Sequence, residues 1–182
     1  KRERLQVLNG LGTSVEAVAR SLDLEPAMAD LSRRLVRQRA VYLVGRGPDH
    51  AACLEGALKL KEVAYLHAEA MPAAGLKHGP LALMEEGSAL LALSSRPELA
   101  SRLASNLHEA AARGADVFLW SHLDPPSLEG VRRFYRLPDP GHPWLAALVQ
   151  APPLQLLAYY TGLGRGTEID RPRNLAKSVT VE

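Results

Sequence analysis

One stretch of the sequence places two carboxylates and an amine where they can act together. Glu55, Lys59 and Glu62 follow one another at i, i+4 and i+7, so a helix presents all three on one face. A surface stripe of Glu–Lys pairs, worth a few tenths of a kcal/mol each, is one interpretation. The other is a general base held beside a cation that tunes its pKa. The spacing alone leaves both open.

Lysine is scarce in this chain, which has 17 Arg but only five Lys. Arginine cannot lose its proton to become a nucleophile, whereas lysine can. A lysine retained against this bias is therefore a candidate for a place where an amine is needed, although five residues can also be distributed by chance. Apart from Lys1, the lysines are Lys59, Lys61, Lys77 and Lys177.

Two further short segments contain groups that could bind or react. Gly45-Arg46-Gly47 ends an apolar run and could bring backbone N–H groups to a phosphate or a sugar, or could be only a tight turn. It is neither a dinucleotide fingerprint nor a P-loop. His78 stands beside a Gly-Pro turn, and a histidine there can move protons near neutral pH.

Metal and thiol chemistry have little support in the sequence. His67, Glu69 and His78 match no compact zinc spacing, so we expect no metal. Cys53 is the single cysteine, which excludes an intramolecular disulfide and favours a cytosolic setting. No acid–base partner for it is identifiable, so we interpret it as a small packed residue.

The elements that must position these groups alternate between strands and helices. Both faces of the strands are apolar, which predicts a parallel sheet between two helical layers, and ligands of such sheets bind at the carboxyl ends of the strands. The first helix is expected to break at Gly10-Leu11-Gly12 and to restart with Thr13 or Ser14 as the N-cap. A kink or break is expected at Pro152-Pro153. Strands are predicted over 40–44, 89–93, 116–120 and 133–137, and helices over about 14–22, 26–37, 50–68, 97–113 and 144–163.

Length and charge limit the class of protein. The 182 residues fit one domain, with N-terminal helices over 1–39, an α/β core over 40–163 and an extended tail over 164–182. A net charge of +2 is too small to indicate a nucleic-acid partner or an anionic membrane. No run of 18 apolar residues indicates a transmembrane helix. Because no initiator Met precedes Lys1, we expect a segment of a longer chain.

Three separated segments, in order, resemble one known family. Residues 54–62, 76–80 and 170–182 are similar to the isomerase part of the glutamine–fructose-6-phosphate aminotransferases. The likeness covers nearly the whole chain, as the second of two sugar-isomerase (SIS) domains. It implies a three-layer αβα sandwich with a mostly parallel, flavodoxin-like sheet, and a tail that covers the sugar.

The resemblance also implies a role for each matching residue. Glu62 matches the acid/base that moves a proton between sugar carbons C1 and C2, and Lys59 matches a lysine beside it. His78 matches a histidine linked to ring opening and supplied across a dimer interface. Lys177 matches the lysine that forms a Schiff base with the keto sugar. The expected catalytic residues are Glu62, His78 and Lys177, and the expected substrate-binding residues are Lys59, Glu55, Arg46 and Asn174.

The sequence departs from the family pattern at two positions. Gly75 stands where the family has Glu, three residues before the histidine, and Arg171 replaces a Gln in the tail. The glutaminase domain and the first SIS domain, whose Ser/Thr-rich loop holds the sugar phosphate, have no counterpart here. The nearest local segment, 93–97, lacks the glycine and threonine of such a loop.

The expected function follows from this resemblance. The full-length enzyme would convert fructose 6-phosphate and glutamine to glucosamine 6-phosphate and glutamate, without a cofactor, as a cytoplasmic homodimer that binds neither nucleic acid nor membrane. The isolated segment would be inactive. Two alternatives share the fold: a sugar-phosphate deaminase or isomerase, and a non-catalytic sugar-phosphate sensor, which would not need the set Glu62, His78 and Lys177.

Overall fold

The computed structural model describes residues 2–175 and contains five α-helices and five strands in that range. Short 3₁₀ helices precede α2 and α5 and fill the connection from β2 to β3. The order along the chain is α1 (Arg2–Ser21), α2 (Glu25–Leu35), β1 (Ala40–Gly45), α3 (Pro48–Ala64), β2 (His67–Pro72), β3 (Ala89–Ser94), α4 (Pro97–Ala111), β4 (Asp116–Ser121), β5 (Val131–Arg136) and α5 (Ala146–Arg165).

All five strands pair in parallel, in the order β2-β1-β3-β4-β5. This is the flavodoxin-like order of doubly wound sheets. β1, β3 and β4 are buried over almost their whole length, because helices cover both faces of a parallel sheet. The predicted αβα sandwich is confirmed.

Each face of the sheet has its own hydrophobic core. On one face α1, α2, α3 and α5 pack together, with Met28, Leu60 and Leu157 fully or almost fully buried among them. On the other face α4 packs beside the 3₁₀ segment Ala73–His78, through residues such as Leu103 and Leu76. The segment that carries Glu62 and the segment that carries His78 therefore lie on opposite faces of the sheet.

The strand β2 was not predicted, and the helix before it is shorter than expected. α3 ends at Ala64 instead of residue 68 because Tyr65 adopts a left-handed conformation, with φ of 49°. The sequence His67–Pro72 has no β-branched or aromatic residue, so its strand signal is weak. It becomes a strand by pairing with β1, starting from Ala40 opposite His67.

The predicted break in the first helix is also wrong. α1 runs unbroken from Arg2 to Ser21. Gly10 serves close packing, because a Cβ there would lie 3.1 Å from the Cβ of His142. Ser14 does not cap a helix N-terminus, since its hydroxyl donates to the Leu11 carbonyl within the helix.

The C-terminal helix continues through its two prolines. α5 includes Pro152 and Pro153, which removes the amides that would bond the carbonyls of Leu148 and Val149. The tail begins slightly later than expected, because the helix continues to Arg165 before Gly166 ends it with φ of 67°. Within residues 2–175, no helix has the length and apolar character needed to cross a membrane.

Candidate active site

The row of charges on α3 forms as the helical spacing predicts. The Lys59 ammonium donates to Glu62 Oε2 at 2.7 Å and lies 3.9 Å from Glu55 Oε1. The three side chains are about one-third exposed. The hydrogen bond to Glu62 raises the pKa of Lys59, against the lowering effect of partial burial, and the charge of Glu55 adds to the rise. At neutral pH the row is thus an ammonium fixed between two carboxylates.

Glu62 opens into a cleft of about 460 Å³ at the C-terminal end of α3. One wall comes from the last turns of α3 and the residues that follow it, and the other comes from the tail after α5. Glu62 and Asn174, which are 112 positions apart in sequence, face the same space. The lining residues are Leu58, Lys61, Glu62, Tyr65, Leu66, His67, Arg173, Asn174 and Leu175.

Tyr65 fixes the tail against α3. Its hydroxyl accepts a hydrogen bond from the backbone N–H of Arg173 at 2.8 Å. The Arg173 guanidinium lies over the Tyr65 ring, 4.2 Å from its centroid, in a cation–π arrangement. The Thr167 hydroxyl bonds the Val63 carbonyl at the start of the same tail. These contacts bring Arg173 and Asn174 to the cleft.

Sequence reasoning missed Tyr65. A left-handed tyrosine at a helix end is strained relative to glycine or asparagine, and neither its residue type nor its spacing marks it in advance. Lys177 and the other residues of 176–182 lie outside the described part of the chain, so that prediction stays a prediction.

Arg46 is at the other end of α3 from this cleft. It follows β1 directly, and its Nη2 donates to Asn106 Oδ1 on α4 at 2.7 Å. Glu62 is in the last turn of α3, about 20 Å away at 1.5 Å per residue. The structure therefore separates Arg46 from the Glu55–Lys59–Glu62 row, and the cleft is not at the carboxyl ends of the strands, where the sheet type predicted a ligand.

The glycines around Arg46 serve the packing of α3 on β1. A Cβ at Gly45 would lie 2.6 Å from the backbone carbon of Asp49, and Gly47 has a φ of 58°. Asp49 is buried and accepts from the backbone N–H of Ser95 at 2.9 Å and from Gln150 Nε2 at 2.6 Å. The amide of Ser95 is thus already bonded to an internal carboxylate. The segment 93–97 that contains Ser95 is therefore a poor place for a phosphate.

His78 is exposed and is not part of the cleft lining. Its neighbour Lys77 pairs with Glu109 of α4 at 2.6 Å, which ties this segment to the face opposite α3. Gly75 has room for a side chain, since a Cβ there would be 3.8 Å from the Cβ of Met71. The structure does not bring His78 to Glu62 within one chain.

Residues 2–175 contain no cluster of three or more His, Cys, Asp or Glu side chains suited to a metal ion. Cys53 is fully buried. Burial, with the charge of Asp49 as a smaller cause, raises the pKa of its thiol well above the ordinary value. A thiol in that state is a packing group rather than a nucleophile.

Comparison with known proteins places this chain in a family. The family model described as "SIS domain" matches residues 34–161, and the chain belongs to that family. A curated relative is the glutamine–fructose-6-phosphate aminotransferase [isomerizing] of Legionella pneumophila strain Paris, which is 42% identical over 177 residues. That match covers 97% of this chain but 29% of the relative, so the chain spans less than a third of its length.

Solved structures of other proteins have a similar fold. The C-terminal domain of glucosamine-fructose-6-phosphate aminotransferase from Francisella tularensis superposes with a TM-score of 0.78 at 34% identity, over 86% of this chain and 44% of that one. Glucosamine-6-phosphate deaminase from Thermotoga maritima superposes with a TM-score of 0.64 at 22% identity, over 93% of this chain and 51% of that one. The second likeness shows the fold alone.

Proposed function

We infer that residues 1–182 form one SIS domain, the C-terminal part of a glutamine–fructose-6-phosphate aminotransferase. In that enzyme the amino group of glutamine is transferred to fructose 6-phosphate, giving glucosamine 6-phosphate and glutamate. This domain supplies the proton transfer between C1 and C2 of the sugar. The buried, unreactive thiol of Cys53 suits the reducing cytoplasm, where we place the enzyme.

The observation that carries the proposal is the pairing of Lys59 with Glu62, which lines the cleft together with residues of the tail. Isomerisation needs a group that takes a proton from one carbon and returns it to the next. A carboxylate does this when it is partly buried and still reaches the substrate. Lys59 holds the Glu62 carboxylate by a hydrogen bond, and Asn174 offers an amide to the sugar hydroxyls.

The position of His78 supports a site shared between two copies of the chain. Glu62 and His78 pack on opposite faces of the sheet, so a histidine that assists ring opening at Glu62 comes from a second copy. A twofold dimer, in which each copy gives His78 to the other, satisfies both sites at once.

The test replaces Glu62 in the full-length enzyme and follows deuterium entering fructose 6-phosphate from heavy water. Glu62→Gln keeps the size of the side chain and removes the base, so exchange should fall by about 100-fold or more. The matched control is Glu69→Gln, on the exposed side of β2. Circular dichroism and thermal unfolding of both variants check that they are folded. Undiminished deuterium exchange in Glu62→Gln would refute the proposal.

Lys177 has its own chemical test. A Schiff base needs a neutral amine, and a closed or cationic site lowers the pKa of lysine from about 10.4 toward that state. Borohydride added with fructose 6-phosphate should reduce the imine and attach the sugar to Lys177, as detected by mass spectrometry. Lys177→Arg keeps the charge and should abolish the adduct. An adduct that persists in Lys177→Arg would assign the imine to another lysine.

The alternatives predict different results in the same assays. A sugar-phosphate deaminase releases ammonia from glucosamine 6-phosphate and does not need glutamine. A sensor binds sugar phosphate but exchanges no deuterium. The aminotransferase assignment is favoured because the relatives that match over nearly the whole chain are aminotransferases, whereas the deaminase likeness is confined to the fold.

A further inference from the structure

A second polar cavity lies between α2 and the edge strand β5. Its volume is about 230 Å³, and three arginines line it: Arg34 from α2, with Arg132 and Arg133 from β5. Because β5 and β2 are at opposite edges of the sheet, this cavity is separate from the Glu62 cleft. Nothing in the proposed reaction uses it.

A β-bulge brings two consecutive arginines to this one cavity. The register of β4 with β5 shifts between Val117, which pairs with Val131, and Phe118, which pairs with Arg133. Arg132 is the extra residue of the bulge. In a regular strand the side chains of Arg132 and Arg133 would point to opposite faces. A bulge re-aims a side chain in this way, and here both guanidinium groups line the same space.

The cavity has more hydrogen-bond donors than acceptors. Arg34 and Arg132 share the carboxylate of Asp116, at 3.4 and 2.8 Å, and Arg133 pairs with Asp30 at 2.8 Å. Each arginine makes its pair through Nη1, and a guanidinium carries five N–H donors. Three cations therefore face two carboxylates, with most of their donors unused by these pairs.

One residue of the cavity lining also has a buried hydroxyl without an acceptor. Tyr135 lines the cavity and is only 3% exposed, and its hydroxyl has no hydrogen-bond partner among residues 2–175. Burial raises the pKa of Tyr135 to about 12, so the phenol stays protonated. A buried polar group without a partner is costly and calls for an explanation.

We propose that this cavity, the arginine cavity, binds a small oxyanion, with the guanidinium groups of Arg34, Arg132 and Arg133 as its charged donors and the Tyr135 hydroxyl as a neutral one. Planar guanidinium groups recognise phosphate and carboxylate oxygens through paired N–H bonds. The volume is below the range of about 300–1,000 Å³ typical of drug-sized ligands. It suits inorganic phosphate or a carboxylate of a few carbons rather than a nucleotide.

The experiment is a calorimetric titration of the chain with inorganic phosphate in chloride buffer of low ionic strength. We expect a Kd below about 1 mM. Arg133→Gln removes one charge from the cavity, and Tyr135→Phe removes only the hydroxyl, so each should raise the Kd about tenfold. Phe keeps the ring stacked on Trp120, and circular dichroism checks that both variants are folded.

The matched control is Arg136→Gln on the same strand, whose guanidinium bonds Asp124 and the His122 carbonyl away from the cavity. Its Kd should stay within twofold of the unmodified chain, and so should that of Glu62→Gln. A titration with malonate in place of phosphate distinguishes recognition of a carboxylate from recognition of phosphate. The site is supported if either anion binds and if both Arg133→Gln and Tyr135→Phe weaken that binding. Absence of binding by both probes overturns the proposal, and so does binding that neither Arg133→Gln nor Tyr135→Phe weakens.

Discussion

At the scale of single residues, Lys59 is the group whose replacement best separates stability from chemistry. Its hydrogen bond to Glu62 raises its pKa, so its ionic contribution to stability is complete below the ordinary lysine pKa of about 10.4. That contribution is lost only as the pH rises through the raised, folded-state value. Between neutral pH and about pH 9 the pair contributes the same amount.

Lys59→Gln should therefore cost little stability but much activity. Helix pairs of this exposure contribute less than about 1 kcal/mol, as urea unfolding of the variant should show at neutral pH. In the full-length enzyme, deuterium exchange into fructose 6-phosphate should fall at least tenfold, because Glu62 loses the cation that holds its carboxylate in place. Arg136→Gln, which breaks the ion pair to Asp124 outside both sites, serves as the control. Equal exchange rates in the two variants would show that Lys59 is only a surface cation.

The sequence predicts the charged row on α3 but not the contact of the tail with α3, and the reason is physical. The spacing of Glu55, Lys59 and Glu62 is a local helical property, so the sequence alone gives their common face. The meeting of Glu62 with Asn174 depends on how the tail folds back over α3. The contact that fixes it, from Arg173 to a left-handed Tyr65, follows no spacing rule.

At the scale of elements, glycine has different roles in β1 and α1. Gly45 ends β1 where the first turn of α3 crosses it, with the backbone of Asp49 too close for any side chain. Gly12 is in the exposed part of α1, with no atom within 4 Å of a Cβ built on it. The first glycine allows a close approach, and the second only weakens a helix.

Alanine at these two positions should shift stability in opposite directions. Gly45→Ala forces a backbone shift and should lower the free energy of unfolding by about 1–3 kcal/mol. Gly12→Ala removes the entropic cost of a glycine in a helix and should raise it by about 0.5–1 kcal/mol. Urea titrations of both variants give the comparison. A Gly45→Ala chain as stable as the unmodified one would mean that β1 and α3 can separate without loss.

Whether the sequence predicts a strand depends on whether the burial of that strand leaves a local pattern of residue types. β1, β3 and β4 are apolar runs because they are buried on both faces, and the sequence shows them directly. β2 is an edge strand of six residues with mixed burial and without a β-former. Its structure comes from pairing with β1, which no local pattern records.

At the scale of the whole molecule, the chain holds Glu62 and His78 apart. The helices of one face carry the row that we propose for acid/base chemistry, and the 3₁₀ segment on the other face carries the histidine. An assembly of two copies resolves this arrangement only if each copy completes the site of the other.

Mixed assemblies test this directly. Full-length Glu62→Gln and His78→Ala chains should each be inactive alone. After subunit exchange, a mixed dimer contains one site with the intact Glu62 of one chain and the intact His78 of the other. About half of the activity per mixed dimer should return, as measured by glucosamine 6-phosphate formation. If verified exchange restores nothing, His78 does not act across the interface.

The order of the elements along the chain also bears on synthesis. The apolar side of α2, with Met28, Leu31 and Leu35, packs into the same core as Leu154 and Leu157 of α5. α5 is the last of the five helices described here to be made. At ~5–20 residues per second, the roughly 110 residues between α2 and α5 take on the order of 5–20 s to emerge. During that interval the apolar side of α2 lacks the α5 part of its core, so this stripe needs protection from aggregation in the nascent chain.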